Sequence, residues 1–249
     1  RRDPDPIAHA RRDAEALVAF FPKPDGRARF SESAIDARAL ADPDADQVAA
    51  VFRELADDVR SGRLKAGDTV VVSVESRLFK PDDEGALVLA SSRPGEPESA
   101  QGASAGAIAE ALEEAASQGC LVLVLVDALH PGASRATIAS FREWIRDLAN
   151  RRGAVVMVAS KQEPSERLDA YGAFAQAVIE SATVAGGSAS RSNAPITLQD
   201  FRSDVVRRVS ELTSRRQFAD LFPPETFAGW RKVRPFEPQP TPADDLVRR

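Results

Sequence analysis

Three short apolar runs constrain most strongly what this chain can fold into: Thr69 to Val74, Leu121 to Val126 and Ala154 to Ala159. Each is rich in β-branched residues and almost free of polar ones. A strand with one wet face alternates apolar and polar residues, because successive side chains point to opposite sides. Uninterrupted runs instead predict strands buried on both faces, as in a parallel sheet covered by helices on each side. A weaker strand is predicted from Ala86 to Ala90.

Between the runs the apolar period changes from two to about 3.6. Val48, Val51, Phe52, Leu55 and Val59 form one helical stripe, and Ile108, Leu112 and Ala115 a second. Ile138, Phe141, Ile145 and Leu148 form a third, and Phe201, Val205, Val209 and Leu212 a fourth. Asp44 or Asp46 suits the cap of the first stripe, and Thr197 with Asp200 three residues on marks the start of the fourth. Strands alternating with amphipathic helices predict an α/β fold, with a mostly parallel central sheet and helices on both faces. Ser91 to Ser104, rich in Ser, Gly, Pro and Glu, reads as a surface loop. From Arg234 the chain runs Pro-Phe-Glu-Pro-Gln-Pro-Thr-Pro. The expected organisation is one domain over residues 1–230 and a Pro-rich tail or linker over 231–249.

Composition narrows the chemistry. The formal net charge is −5, which disfavours binding to nucleic acid, since that needs a basic face. No apolar run reaches the roughly 18–20 residues that span a bilayer, and the polar start carries no signal-peptide core. The expectation is a soluble cytoplasmic protein without membrane contact. Cys120 is the one cysteine, and His9 and His130 are the two histidines. An intrachain disulfide is excluded, and zinc or Ser-His-Asp chemistry has little to draw on. No metal and no cofactor are expected, and no G-x-G-x-x-G or P-loop occurs for a nucleotide.

In open α/β sheets the working groups collect beyond the carboxyl ends of the strands. Two ends carry distinctive residues: Glu75-Ser76-Arg77-Leu78 after the first run, and Asp127-Ala128-Leu129-His130-Pro131-Gly132 after the second. With Gly67-Asp68 leading into the first, this ordered pair resembles the caspase and metacaspase superfamily of cysteine peptidases. There, an apolar strand ends Ser-Gly-His-Gly and a later one ends Asp-x-Cys-His-Ser-Gly. Val155 to Ser160, Glu166 and Gly172-Ala173-Phe174 resemble that family's third strand and a following helix start, and Asp13-Ala14 with Leu17 resembles the start of its first helix. The resemblance spans about residues 10 to 215. It implies a caspase-like sandwich.

The departures fall on the catalytic pair. The resemblance sets the family's general-base histidine on Arg77 and its nucleophilic cysteine on Leu129. Leucine has no nucleophilic atom, and arginine stays protonated at physiological pH, so neither does the work of the residue it replaces. The flanking glycines become Ser76 and Leu78. The family's first strand is missing as well, since residues 1–8 are too polar and proline-rich to supply it, which suggests a piece of a longer protein. Cys120 precedes Leu129 by nine residues, which places it well over about 20 Å away at the other end of its strand; it reads as a small core residue.

The remaining cleft candidates are Arg77, Asp127, His130 and Ser160. In metacaspases the acid matching Asp127 helps line the pocket for a basic substrate side chain. Three roles are open to Asp127: an ion pair with Arg77 across the cleft, a retained ligand pocket, or a solvated loop acid. His130 reads best as a structural histidine, Ser76 and Ser160 as turn or cap residues, and Arg77 as either a carboxylate-binding or a surface arginine. The leading expectation is a non-catalytic caspase-like (pseudo-peptidase) module that binds a protein partner or neighbouring domains of the same chain. The alternatives are an active peptidase of that fold using unrecognised groups, and an unrelated doubly wound ligand-binding domain.

Overall fold

The structure, a computed structural model, describes residues 6–20, 36–41, 43–79, 88–90, 102–128, 135–150, 153–160, 172–182 and 197–222. Within these the elements run α1 (Pro6–Phe20), α2 (Ala45–Arg60), β1 (Thr69–Glu75), β2 (Arg77–Phe79), β3 (Val88–Ala90), β4 (Gly102–Ser104), α3 (Ala105–Ser117), β5 (Leu121–Asp127), α4 (Arg135–Asn150), β6 (Val155–Val158), α5 (Ala173–Ala182), α6 (Leu198–Leu212) and β7 (Asp220–Phe222). The expected tail over 231–249 lies outside the described residues.

The three apolar runs become the parallel heart of a four-stranded sheet ordered β1-β5-β6-β7. β1 pairs in parallel with β5 along its whole length, from Thr69 opposite Leu121 to Glu75 opposite Asp127. β5 pairs in parallel with β6, and β7 closes the order antiparallel to β6. The class is α/β, as the alternation of periods predicts.

Strand pleating divides the core into two. Val122, Val124 and Val126 of β5 face one side with Val59 of α2, Ile108 and Leu112 of α3, and Phe141, Ile145 and Leu148 of α4. Leu123 and Leu125 face the other side with Leu17 and Phe20 of α1, Phe174 and Val178 of α5, and Phe201, Val205 and Val209 of α6. Helices therefore cover both faces of the sheet. Trp144 joins core to backbone, its indole N–H donating to the Ala105 carbonyl at 3.0 Å.

The helix starts follow cap chemistry. Of the two aspartates before α2, Asp44 is the cap: it accepts from Gln47 N at 2.8 Å, while Gln47 Oε1 accepts from Asp44 N at 2.9 Å. Thr197 and Asp200 close the same reciprocal box before α6, with Asp200 N donating to Thr197 Oγ1 at 3.1 Å and Thr197 N to Asp200 Oδ2 at 3.4 Å. Thr197→Ala removes the acceptor for an orphan helix N–H. It is expected to lower the unfolding free energy by about 1 kcal/mol, read as a shift of the urea midpoint.

Three expectations need correction, and one gains a place in the fold. β1 is not buried on both faces: Val71, Val72 and Val74 are half-exposed and Ser73 is exposed, because β1 stands at the end of the sheet order. An apolar run reports what a strand prefers, not whether it has neighbours on both edges. The weak strand predicted over 86–90 is found as β3 at Val88–Ala90, with 86 and 87 outside the described residues, and it joins β2 and β4 in a separate antiparallel sheet. The stretch read as a surface loop to Ser104 ends in β4, where Gly102, Ala103 and Ser104 pair with β3. Three small residues carry no periodic signal, so backbone pairing alone makes that strand. The first helix begins at Pro6, well before Asp13. A proline in the first helical turn needs no N–H partner and has its φ already set, so proline-rich sequence opens a helix as readily as it forbids a strand.

Candidate functional site

The aligned carboxyl ends of β1 and β5 set the site. Glu75 and Asp127 are register partners, and beyond them Ser76 N donates to the Asp127 carbonyl at 3.2 Å. One strand over, Ala159 N donates to the Val126 carbonyl at 2.8 Å, which carries the ladder to buried Ser160. The same edge is braced from behind by Gln217, whose Nε2 donates to the Ala159 carbonyl at 2.9 Å. Three strand ends are thereby held at one level.

Onto this edge α1 delivers Asp13, only 3% exposed. Gly172, just before α5, donates its backbone N–H to both carboxyl oxygens, at 3.1 Å to Oδ1 and 2.9 Å to Oδ2. The approach leaves no room for a side chain. A Cβ on Gly172 would lie 2.6 Å from Asp13 Oδ2 and 3.7 Å from Asp127 Oδ2. Asp13 and Asp127 thus flank one glycine, with Glu75 the third acid. Glu75 is held well above the usual carboxylate range, first by burial, then by the charges of Asp13 and Asp127, and then by hydrogen bonding toward Asp13. Ser73, donating from the same strand, opposes that shift. Three acids from α1, β1 and β5 converge at one sheet edge.

Of the residues singled out in the sequence, Asp127 and Ser160 are brought to this edge. The solvated-loop reading of Asp127 is corrected: it is the last residue of β5, half-buried and beside Glu75, because the pairing with β1 runs to the strand's final residue. Arg77 opens β2 one residue beyond Ser76, but its side chain lies outside the described residues, as do Leu129 and His130 altogether. The Arg77–Asp127 ion pair therefore concerns atoms outside that set. Cys120 sits before β5 at the opposite end of the sheet. It is buried, its thiol donates to the Lys65 carbonyl at 3.4 Å, and burial pushes the thiol up. That is a core cysteine, not a nucleophile beside the acids.

Glu75 was not anticipated as a site residue. Its signal is an acid closing an otherwise apolar strand, next to a run already marked as a working end. Asp13 and Gly172 entered only through the resemblance, in two segments 159 residues apart, and they meet here in a direct hydrogen bond. Among the described residues, no group of three or more His, Cys, Asp or Glu side chains has metal-holding geometry, and no helix is long and apolar enough to cross a membrane.

No family model matches the chain. No curated protein matches it either. A solved structure does: protein GSU0716 from Geobacter sulfurreducens, at 16% identity, covers 92% of this chain and 89% of its own with a TM-score of 0.55. At that identity the likeness speaks for the α/β fold alone.

Proposed function

We propose that this chain is a caspase-like module without peptidase chemistry, which binds a basic side chain of a protein partner through Asp127, at the sheet edge it shares with Asp13 and Glu75. The observation that carries the reading is the convergence of those acids at the paired ends of β1 and β5. A caspase-like fold needs these two strand ends side by side, and they are in register. The resemblance puts Asp127 in the pocket that receives a basic residue. A planar guanidinium gives paired N–H donors to the two oxygens of one carboxylate, here the half-buried Asp127, so arginine is the preferred ligand group.

The absence of turnover follows from the residues at the two catalytic positions. Arg77 holds its proton and Leu129 offers no electron pair, so neither a thiolate nor its activating base is supplied.

Fluorescence anisotropy with a labelled peptide carrying a central arginine, against the same peptide carrying citrulline, tests the binding. The arginine peptide is expected to bind at least tenfold more tightly, with Asp127→Asn removing most of the difference, since a charge-assisted hydrogen bond contributes about 1.5–3 kcal/mol. Equal affinity for both peptides would overturn the binding of a basic side chain at Asp127. Cleavage of either by the unmodified protein would overturn the non-catalytic part, with the Arg77→His, Leu129→Cys double variant as the control for restored chemistry.

A further inference from the structure

Asp13 and Glu75 are brought to one sheet edge as carboxyl groups, Asp13 fastened to the Gly172 N–H and Glu75 in register with Asp127, whose Oδ2 also lies against Gly172. A carboxylate only accepts, so two such neighbours attract each other only while one of them carries a proton. The groups around them decide which one. Asp13 already takes the Gly172 N–H on both oxygens, a contact that favours its ionised form. Glu75 is half-buried and faces Asp13 from α1 and Asp127 from β5. From its own strand it meets the Ser73 hydroxyl, and α5 contributes the Gly172 N–H on the far side of Asp13. Ionising Glu75 would gather three negative charges at one sheet edge.

We propose that Glu75 keeps its proton and donates it to Asp13, making a latch that fastens α1 to the end of the sheet and loosens as pH rises. The latch has a mechanical consequence. Leu17 and Phe20, one and two turns beyond Asp13 on the same helix, belong to the core between α1, α5 and α6. Repulsion at Asp13 therefore acts on the element that carries both side chains. The proposal concerns how the helix is held, and it stands whether or not the edge takes a basic ligand.

The sign of the pH dependence follows from the native state holding a proton that the unfolded chain releases. Stability from this group is fully present below the ordinary glutamate value of 4.5. It is lost as pH rises above that value, until Glu75 ionises in the folded protein. Over that window the unfolding equilibrium constant rises by up to about tenfold per pH unit.

Urea unfolding of the full chain between pH 4.5 and 9 tests this, with amide exchange of residues 13–20 measured at each pH relative to α6. Wild-type protein is expected to lose stability with rising pH and α1 to lose protection ahead of α6. Glu75→Gln keeps an N–H donor toward Asp13 without titrating, so it is expected to flatten the profile and to be the more stable protein at the alkaline end. Asp13→Asn keeps the acceptor for Gly172 N–H and removes one negative charge. It serves as the second variant, and its profile is also expected to flatten. A pH profile in either variant that parallels wild type, or equal loss of protection in α1 and α6, would overturn the latch.

Discussion

Gly172→Ala is expected to destabilise the protein by about 3 kcal/mol and to detach α1 from the sheet edge. The new methyl would stand 2.6 Å from Asp13 Oδ2, closer than any real Cβ contact. An atom at the end of a flexible side chain could swing away, but Asp13 is short, 97% buried by its 3% exposure, and bound through both oxygens to the N–H of that same glycine. Turning its carboxylate aside breaks those bonds and drives it toward Glu75 or Asp127. Overpacking costs about 1–3 kcal/mol, and a buried hydrogen bond to a charged acceptor contributes about 1.5–3 kcal/mol. In a domain of this size such a loss lowers the melting temperature by about 6–12 °C. Calorimetry on the purified variant reads it directly. A loss below about 1 kcal/mol would mean that Asp13 has room to move, and that the packing around Gly172 is looser than described.

Phe201→Ala is expected to cost about 3–5 kcal/mol, the cost of emptying a fully enclosed aromatic site. Phe201 is 0% exposed on α6, in the core with Leu123 and Leu125 of β5, Met157 of β6 and Phe174 of α5. Because these neighbours come from two strands and a second helix, no single element can shift to refill the cavity. The loss should appear as a lower urea midpoint with an unchanged slope, since the same surface is exposed on unfolding. The acid cluster is built on other elements, so the pH dependence of stability should survive in this variant. If the pH profile changed as well, the second core and the latch would be one cooperative unit.

The two substitutions probe layers of the protein that were unequally legible in the sequence. Phe201 stands out at once, in a stripe with Val205, Val209 and Leu212 behind a threonine cap. Gly172 has no such pattern. Only its resemblance to a family's helix start marks it, and the reason for a glycine there, an aspartate 159 residues upstream, is not a local property. β4 and the early start of α1 escaped for a related reason: small residues and prolines carry weak periodicity, and backbone pairing or helix-end geometry decides their state.

What the sequence determined by itself is the class of fold: continuous apolar runs between helical stripes permit little except a covered parallel sheet. It also limits thiol and imidazole chemistry to one cysteine and two histidines, with Arg77 and Leu129 just beyond the first two runs. Only the tertiary structure decided that β1 lies at the end of the sheet order and that Asp13, Glu75 and Asp127 share one edge. Periodicity reports a residue's preference for burial, which is local. Whether a carboxyl group keeps its proton depends on which charges stand beside it, and those arrive from distant parts of the chain.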